Sequence, residues 1–553
     1  MFRRNFVFVV LICGLFISCN DENIKVVKAL ESIEEDDIKR HIAVIASDEF
    51  QGRAPATEGE QKTIRYLAEQ FEKAGLKPAS NGSFFQEVPL VKLTADPMMK
   101  LEITGVSQKI SLKFSDDFIG GTPQLKENIS LNNSDIIFVG YGINSPEYGW
   151  NDYEGIDVRG KTVIMLVNDP GYATGDTLLF KGKEMTIYGR WTYKFEEAAR
   201  QRAAGAFIIH ETGAAAYPWA VVQNSWSGPQ YYLRENDLAK SALQVKGWFT
   251  NESARKIFES AGIDFDSAIT SAAQRDFKPI SLNLKASVSF NNKVEYAVSN
   301  NVAAVWPGSE RSDEYVIYMA HWDHFGVNPS FEGDSVLNGA VDNATGTAAL
   351  IELAEAFTLL PEKQKRSIMF LSVTCEEQGL LGSRYYAENP LVPLNKTAGV
   401  INMDGLNILG RTKDMTIIGL GNSELDDYAL EVLGKYDRYA NPDQFPEKGN
   451  YFRSDHYNFA RAGVPALYLG KGVDDVSKGK EWGMAQSEKW IMENYHKPSD
   501  NYEPDIWKFD GMIEDIKVYF EIGYKLSNTD RFPEWKPGSQ FKPARDEMMM
   551  RIQ

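Results

Sequence analysis

Cationic side chains are scarce in this chain. Its 553 residues carry 59 Lys and Arg against 77 Asp and Glu, a formal net charge of −18. Phosphate backbones need a concentration of Lys and Arg that the sequence does not offer, which argues against a nucleic-acid partner. Cysteines number three, and Cys13 and Cys19 stand together near the amino terminus. That leaves Cys375 alone in the body of the chain, so no intrachain disulfide is expected. Two glutamates follow Cys375, and neighbouring carboxylates raise a thiol pKa, so it is a poor nucleophile. Only six histidines are present, so each one near a strand end narrows the search for a site. No tandem repeat and no long low-complexity segment appears.

Residues 6–17 form an apolar run that is too short to span a bilayer. Arg3 and Arg4 precede it, and Ser18 and Cys19 follow. This arrangement resembles a bacterial lipoprotein signal, although Phe16 stands where leucine is commoner. The resemblance implies cleavage of residues 1–18, lipid on the Cys19 thiol and a polar tether over 19–32. It places the protein at the bacterial cell envelope, in the periplasm or on the outer membrane, with the lipid as its one membrane contact.

The length suits two or three domains, and a hydrophobic content of 43% allows sizeable cores. Residues 33–75 read as two helices, with stripes at Ile38, Ile42, Ile45 and at Ile64, Leu67, Phe71. A polar turn, S-D-E-F-Q-G-R-A-P, separates them. Residues 84–118 alternate like strands. Near residue 130 the pattern changes to strand, strand, helix, strand, and residues 125–285 read as a separate α/β module. From Asn300 onward, short apolar strands at 301–306, 315–319, 367–374, 398–403, 416–420 and 465–469 alternate with helices, clearest at 347–360 and 425–433. The expected fold class is therefore α/β, a mostly parallel mixed sheet sandwiched by helices and interrupted by a smaller α/β insert. The large domain takes in 33–124 and 286–530, and 531–553 form a tail.

In such sheets, ligands bind at the carboxyl ends of the strands. His321 and Asp323 follow the 315–319 strand in A-H-W-D-H. Asp342 lies in N-G-A-V-D-N-A-T-G, which opens a helix. Glu376 and Glu377 follow the 367–374 strand, and Asp404 follows the 398–403 strand. His496 stands in the late loop Y-H-K-P-S-D. Zinc takes imidazole nitrogen and carboxylate oxygen, and a paired site needs about two ligands for each metal plus one shared carboxylate. His321, Asp404, Glu377 and His496, with Asp342 as the bridge, supply that set. Glu376 is left over beside a ligand, where a carboxylate suits general base and then acid work. Each residue also has a plainer reading: Asp342 as a helix cap, Glu376-Glu377 as a solvated pair, Asp404 as a turn residue and His496 as a surface histidine. Their joint placement at successive strand ends favours a site. His210 ends a strand without clustered ligands and reads as structural.

Residues 35–118 and 295–525 resemble metallopeptidase family twenty-eight, the co-catalytic zinc aminopeptidases. The motifs that carry the resemblance are A-H-W-D-H, G-A-V-D-N-A-T-G, C-E-E-Q-G-L-L-G-S, N-M-D-G and Y-H-K-P-S-D, in the family's order. It implies two zinc ions, one on His321 and Asp404, the other on Glu377 and His496, with Asp342 bridging and Glu376 as base. Asp323 would orient His321 through its other ring nitrogen. His324 would be supporting or structural, so that A-H-W-D-H contributes one ligand. His456, in R-S-D-H-Y-N-F-A-R-A-G-V-P-A, would stabilise the oxyanion. Val341, Thr345 and Cys375 depart from commoner residues at their positions, and no proposed ligand is lost. The insert is similar to the protease-associated domain, through R-G-K-T-V-I-M-L-V-N-D-P and F-E-E-A-A-R-Q-R-A-A-G-A-F-I-I-H.

The resemblance implies a zinc exopeptidase acting on peptide substrates, an aminopeptidase first. A glutaminyl cyclase and a carboxypeptidase share the fold, and Arg453 and Lys497 keep the second of these open. A catalytically inactive binding module is the reading from another class, although such relatives lose ligands that this chain keeps. Oligomeric state is not legible in the sequence.

Overall fold

The computed structural model describes residues 26–551, apart from 107, 236 and 330. The signal and Cys19 lie outside the described residues. Two mixed sheets are built around one shared strand. The larger runs, in spatial order, through β1 (Phe85–Ala95), β2 (Ile280–Trp306), β4 (Arg366–Val373), β3 (Arg311–His321), β5 (Thr397–Asn402), β7 (Ala466–Gly470) and β6 (Asp414–Ile418). Its centre, β4-β3-β5-β7, is parallel, while β1 pairs antiparallel with β2, β2 with β4, and β6 with β7; the edge strand Tyr439–Pro442 lies parallel to β6.

The central strands are buried on both faces, which is why they read as unbroken apolar runs rather than alternating ones. Val316, Ile317, Tyr318 and Met319 in β3 are all without exposed surface. Helices α1 (Glu35–Ile45), α2 (Glu58–Lys73), α3 (Thr345–Thr358) and α7 (Phe509–Asn528) share one hydrophobic cluster with residues of β3, β4 and β5. Helix α3, T-G-T-A-A-L-I-E-L-A-E-A-F-T, packs between sheet and α1, and Leu350, Ile351, Leu353 and Phe357 are fully buried. Each such side chain contributes about 1.5–3 kcal/mol relative to leaving it in water. Helix α5 (Leu425–Lys435) packs beside α7 on this same face, and the other face of the sheet packs against α4 (Leu381–Glu388) and α6 (His456–Arg461).

The second sheet contains strands 118–121, 245–249, 205–209, 162–166, 128–138 and the first half of β2, with 100–104 and 109–113 beyond it. Its parallel core is 128–138, 162–166, 205–209 and 245–249. The module boundary expected at 124/125 is therefore corrected: strands 100–104, 109–113 and 118–121 pair within the second sheet. Alternating strands look the same whichever sheet they join, so the pattern over 84–118 could not mark the change. The boundary expected at 285/286 also falls inside a continuous element. β2 is 27 residues long; its residues 280–291 pair in the second sheet and its residues 292–306 in the first.

Candidate metal centre

Three central strands bring the site together. β3 ends at His321, β4 leads into Cys375-Glu376-Glu377, and β5 leads into Asp404. Asp342 sits in the turn Ala340–Ala344 that opens α3, and His496 follows the helix Lys480–Glu493 with a left-handed backbone at φ 56°.

The bridging position is explicit in the geometry. His321 Nε2 lies 3.3 Å from Asp342 Oδ1 and 3.3 Å from Asp404 Oδ1. His496 Nε2 lies 3.3 Å from Asp342 Oδ2 and 3.2 Å from Glu377 Oε2. Asp342 thus offers one oxygen to each of two nitrogen–oxygen triads. Donors held about 2.0–2.2 Å from a tetrahedral zinc sit roughly 3.3 Å apart, so both triads have the spacing of a ligand set. Charge agrees: Asp323, Asp342, Glu376, Glu377, Asp404 and Asp455 crowd this region, and none forms an ion pair with Lys or Arg among the described residues. Unpaired carboxylates at such density suit dications.

His324 complicates the second triad. Its Nδ1 stands 2.6 Å from Glu377 Oε1, and with Asp342 and Glu377 it forms a possible ligand cluster. It meets the Glu377 oxygen other than the one His496 approaches, so the two histidines do not compete for one place. The structure therefore gives His324 a definite partner, Glu377. Burial pushes its pKa well below 6.5, which keeps the ring neutral.

Several supports had no local signal in the sequence. Ser454 donates to Asp404 Oδ2 at 2.6 Å and receives Asn402 Nδ2 at 2.7 Å. Asp500 accepts the backbone N–H groups of Val341 and Asp342 at 3.0 and 3.1 Å, fixing the turn that carries the bridge. Arg53, fully buried, donates to the carbonyls of Ile45, Trp322, Asn338 and Gly339 and ties the amino-terminal turn to the site. The support expected of Asp323 takes a different form. His321 Nδ1 is 3.1 Å from the Asp323 carbonyl but 3.9 Å from its carboxylate, which instead accepts the Glu376 N–H at 3.1 Å.

Burial disfavours a charged His321, yet Glu376, Asp342 and Asp404 outweigh it and raise the pKa well above 6.5. Burial lifts Glu376 and Glu377 well above the carboxylate range, with neighbouring carboxylates adding to it. The Glu376 side chain has no hydrogen-bond partner among the described residues, which leaves its oxygens free for a reacting molecule.

His456 is corrected. It is fully buried between Tyr451 and Tyr468, ring centroids 4.6 and 4.9 Å away, and burial pushes its pKa down to about 3. A side chain with no exposed surface cannot reach a substrate oxyanion. Tyr468, partly exposed, faces the site, its hydroxyl 3.5 Å from the Asp404 carbonyl oxygen.

Residues 301–520 match peptidase family M28. The aminopeptidase NAALADL1 of Mus musculus is 37% identical over 122 residues, 21% of this chain and 15% of the mouse protein. Leupeptin-inactivating enzyme 1 of Streptomyces exfoliatus is 30% identical over 203 residues, 35% of this chain and 40% of that protein. The chain thus spans less than half the length of either relative. Among solved structures, an aminopeptidase from Aneurinibacillus sp. strain AM-1 superposes with a TM-score of 0.52 at 17% identity, covering 93% of this chain and 96% of that one. That likeness shows the fold, extending beyond the M28 segment.

Proposed function

We propose that this protein is a zinc-dependent exopeptidase, an aminopeptidase that removes amino-terminal residues from peptides. One observation carries the reading: Asp342 presents its two carboxylate oxygens to two separate triads. We assign one zinc to His321, Asp342 and Asp404, and a second to Asp342, Glu377 and His496. Zinc bound there would supply Lewis acidity and a lowered pKa for water.

The chain's own residues do the rest. Glu376 takes a proton from the attacking water and returns it to the departing amine. Asp323 holds the Glu376 backbone, so the base is fixed from β3 as well as from β4. His324 orients Glu377, and Ser454 orients Asp404. Tyr468, whose hydroxyl stays protonated because burial raises its pKa, is the neutral donor we assign to the developing oxyanion in place of His456.

We assign the module of strands 128–249 as a protease-associated domain, a reading supported by its strand, strand, helix, strand order over 128–209. Cys19 is proposed as the lipid attachment point that holds the enzyme at the bacterial envelope. A Cys19→Ala chain found in the soluble fraction would support the anchor, and one that stays membrane-bound would remove it. The activity is tested with a panel of aminoacyl chromogenic substrates, with and without chelator, beside zinc analysis of the purified chain. Release that stops on chelation and returns with zinc is expected. Less than one zinc per chain, with no release from any substrate, would leave the binding-module reading.

A further inference from the structure

Glu60 stands in the first turn of α2 with no exposed surface, and no Lys or Arg pairs with it among the described residues. A carboxylate buried without a cation needs hydrogen-bond donors in place of its water. Here the Ala56 N–H and the Ser299 hydroxyl donate to Oε2, the hydroxyl at 2.8 Å, and Asn300 Nδ2 donates to Oε1 at 3.0 Å. Burial raises the Glu60 pKa, and the same donors limit the rise. One of the three is local. Ala56 lies four residues before Glu60, and that contact alone would make the glutamate a cap for α2. Ser299 and Asn300 lie on β2, 239 and 240 residues further along the chain.

These two lead to different parts of the metal centre. Ser299 Oγ is 2.6 Å from Thr374 Oγ1. Since Ser299 gives its hydrogen to Glu60, the Thr374 hydroxyl gives its own to Ser299. Thr374 follows β4 directly, and its N–H is held by Asn301 Oδ1 at 3.0 Å. Cys375 then turns the chain through a left-handed backbone, φ 54°, into Glu376. A residue other than glycine keeps such a conformation where its surroundings over-determine it. On the other side, the Asn300 carbonyl accepts the Trp322 indole N–H at 3.0 Å. Trp322 is fully buried, and its chain neighbours are His321 and the Asp323 that holds the Glu376 N–H.

We propose that Glu60 is a positioning residue for the reaction, fixing the base Glu376 relative to the ligand His321. It does so by holding the end of β4 through Ser299 and Thr374, and the end of β3 through Asn300 and Trp322. A misplacement of about 1 Å at a reacting group costs on the order of 10²-fold in rate, so a carboxylate that acts only through other side chains can govern turnover. The inference rests on the peptidase reading above for its rate, but its exchange test does not.

The test uses the full, zinc-loaded chain. Glu60→Gln keeps a cap for α2 and replaces one acceptor by a donor, whereas Ser299→Ala cuts the Thr374 arm and leaves the cap alone. In both, kcat on an aminoacyl chromogenic substrate should fall by about 10- to 100-fold, with KM and zinc content unchanged. Amide hydrogen exchange over residues 374–377 should quicken by up to about 10-fold, the worth of one hydrogen bond. Thr374→Val should follow Ser299→Ala, and Thr374→Ser, which keeps the hydroxyl, should stay near the wild-type rate. A Glu60→Gln protein that melts earlier but keeps its kcat would reduce Glu60 to a helix cap and overturn the proposal. Loss of zinc in step with loss of rate, or unchanged exchange in Ser299→Ala, would overturn it as well. Should the wild-type chain hydrolyse no peptide, the peptidase reading fails by itself, and the exchange rates still decide whether Glu60 holds the turn.

Discussion

Ser454 donates its hydroxyl hydrogen to Asp404 Oδ2 at 2.6 Å, the oxygen that His321 does not approach. The serine is held in turn by Asn402, two residues before Asp404 on the same strand end. A ligand held this way loses little freedom on binding a metal. Ser454→Ala should weaken zinc binding by about 10- to 100-fold, since supports of this kind tune affinity by that much. Competition with a chromogenic chelator measures it. An unchanged affinity would show that Asp404 is positioned by the backbone alone.

Among the described residues, Glu376 is the one carboxylate of the centre that is both partly exposed and without a side-chain partner. Glu376→Gln keeps its shape and removes its proton chemistry. The rate should fall by about 10²- to 10⁴-fold, the usual contribution of a general base, with zinc content unchanged. Near-normal turnover would remove Glu376 from that role.

Metal removal should be felt by the whole fold. Without cations, the crowded carboxylates around Asp342 repel one another, and any ion that binds only the native state stabilises it by mass action. Exhaustive chelation should lower the melting temperature by about 5 °C or more, and added zinc should restore it. Calorimetry reads this without a substrate.

A fourth expectation lies away from the site. Glu352 on α3 and His41 on α1 face each other at 3.5 Å, both fully buried. Burial, helped by Glu355 and Asp37, raises Glu352 to about 9, while burial lowers His41 to about 4, so the pair is neutral at pH 7. The folded state holds the Glu352 proton that the unfolded chain gives up near pH 4.5. This contribution to stability is therefore fully present below pH 4.5 and is lost as pH rises toward 9, at about 1.4 kcal/mol per pH unit at most. Glu352→Gln should flatten the slope. Urea unfolding at pH 5.5 and 8 would detect it, and parallel curves for the two proteins would assign the slope elsewhere.

Much of the large sheet was legible because its central strands are apolar on both faces. The runs at 315–319, 367–374 and 398–403 fall on β3, β4 and β5 to within a few residues. Strand ends then pointed to His321, Glu376, Glu377 and Asp404, which the fold brings together. What stayed hidden depends on the third dimension. Arg53, Asp500 and Ser454 act through contacts far along the chain or across a turn, and nothing local marks them. His456 lies in a motif that reads the same whether its ring faces the cleft or the core. The helix Lys480–Glu493, which delivers His496, and the long α7 were also missed.

The continuous strand β2 has a mechanical meaning. A module joined by two loops can swing like a door, but this one is joined by a 27-residue beam whose hydrogen bonds continue from one sheet into the next. Cutting the module away would strip the first half of that beam of its partners and expose raw sheet edge where Ile280 through Asn291 now lie paired. It behaves as a bracket bolted to the frame, and the second sheet can turn only as far as the beam itself bends.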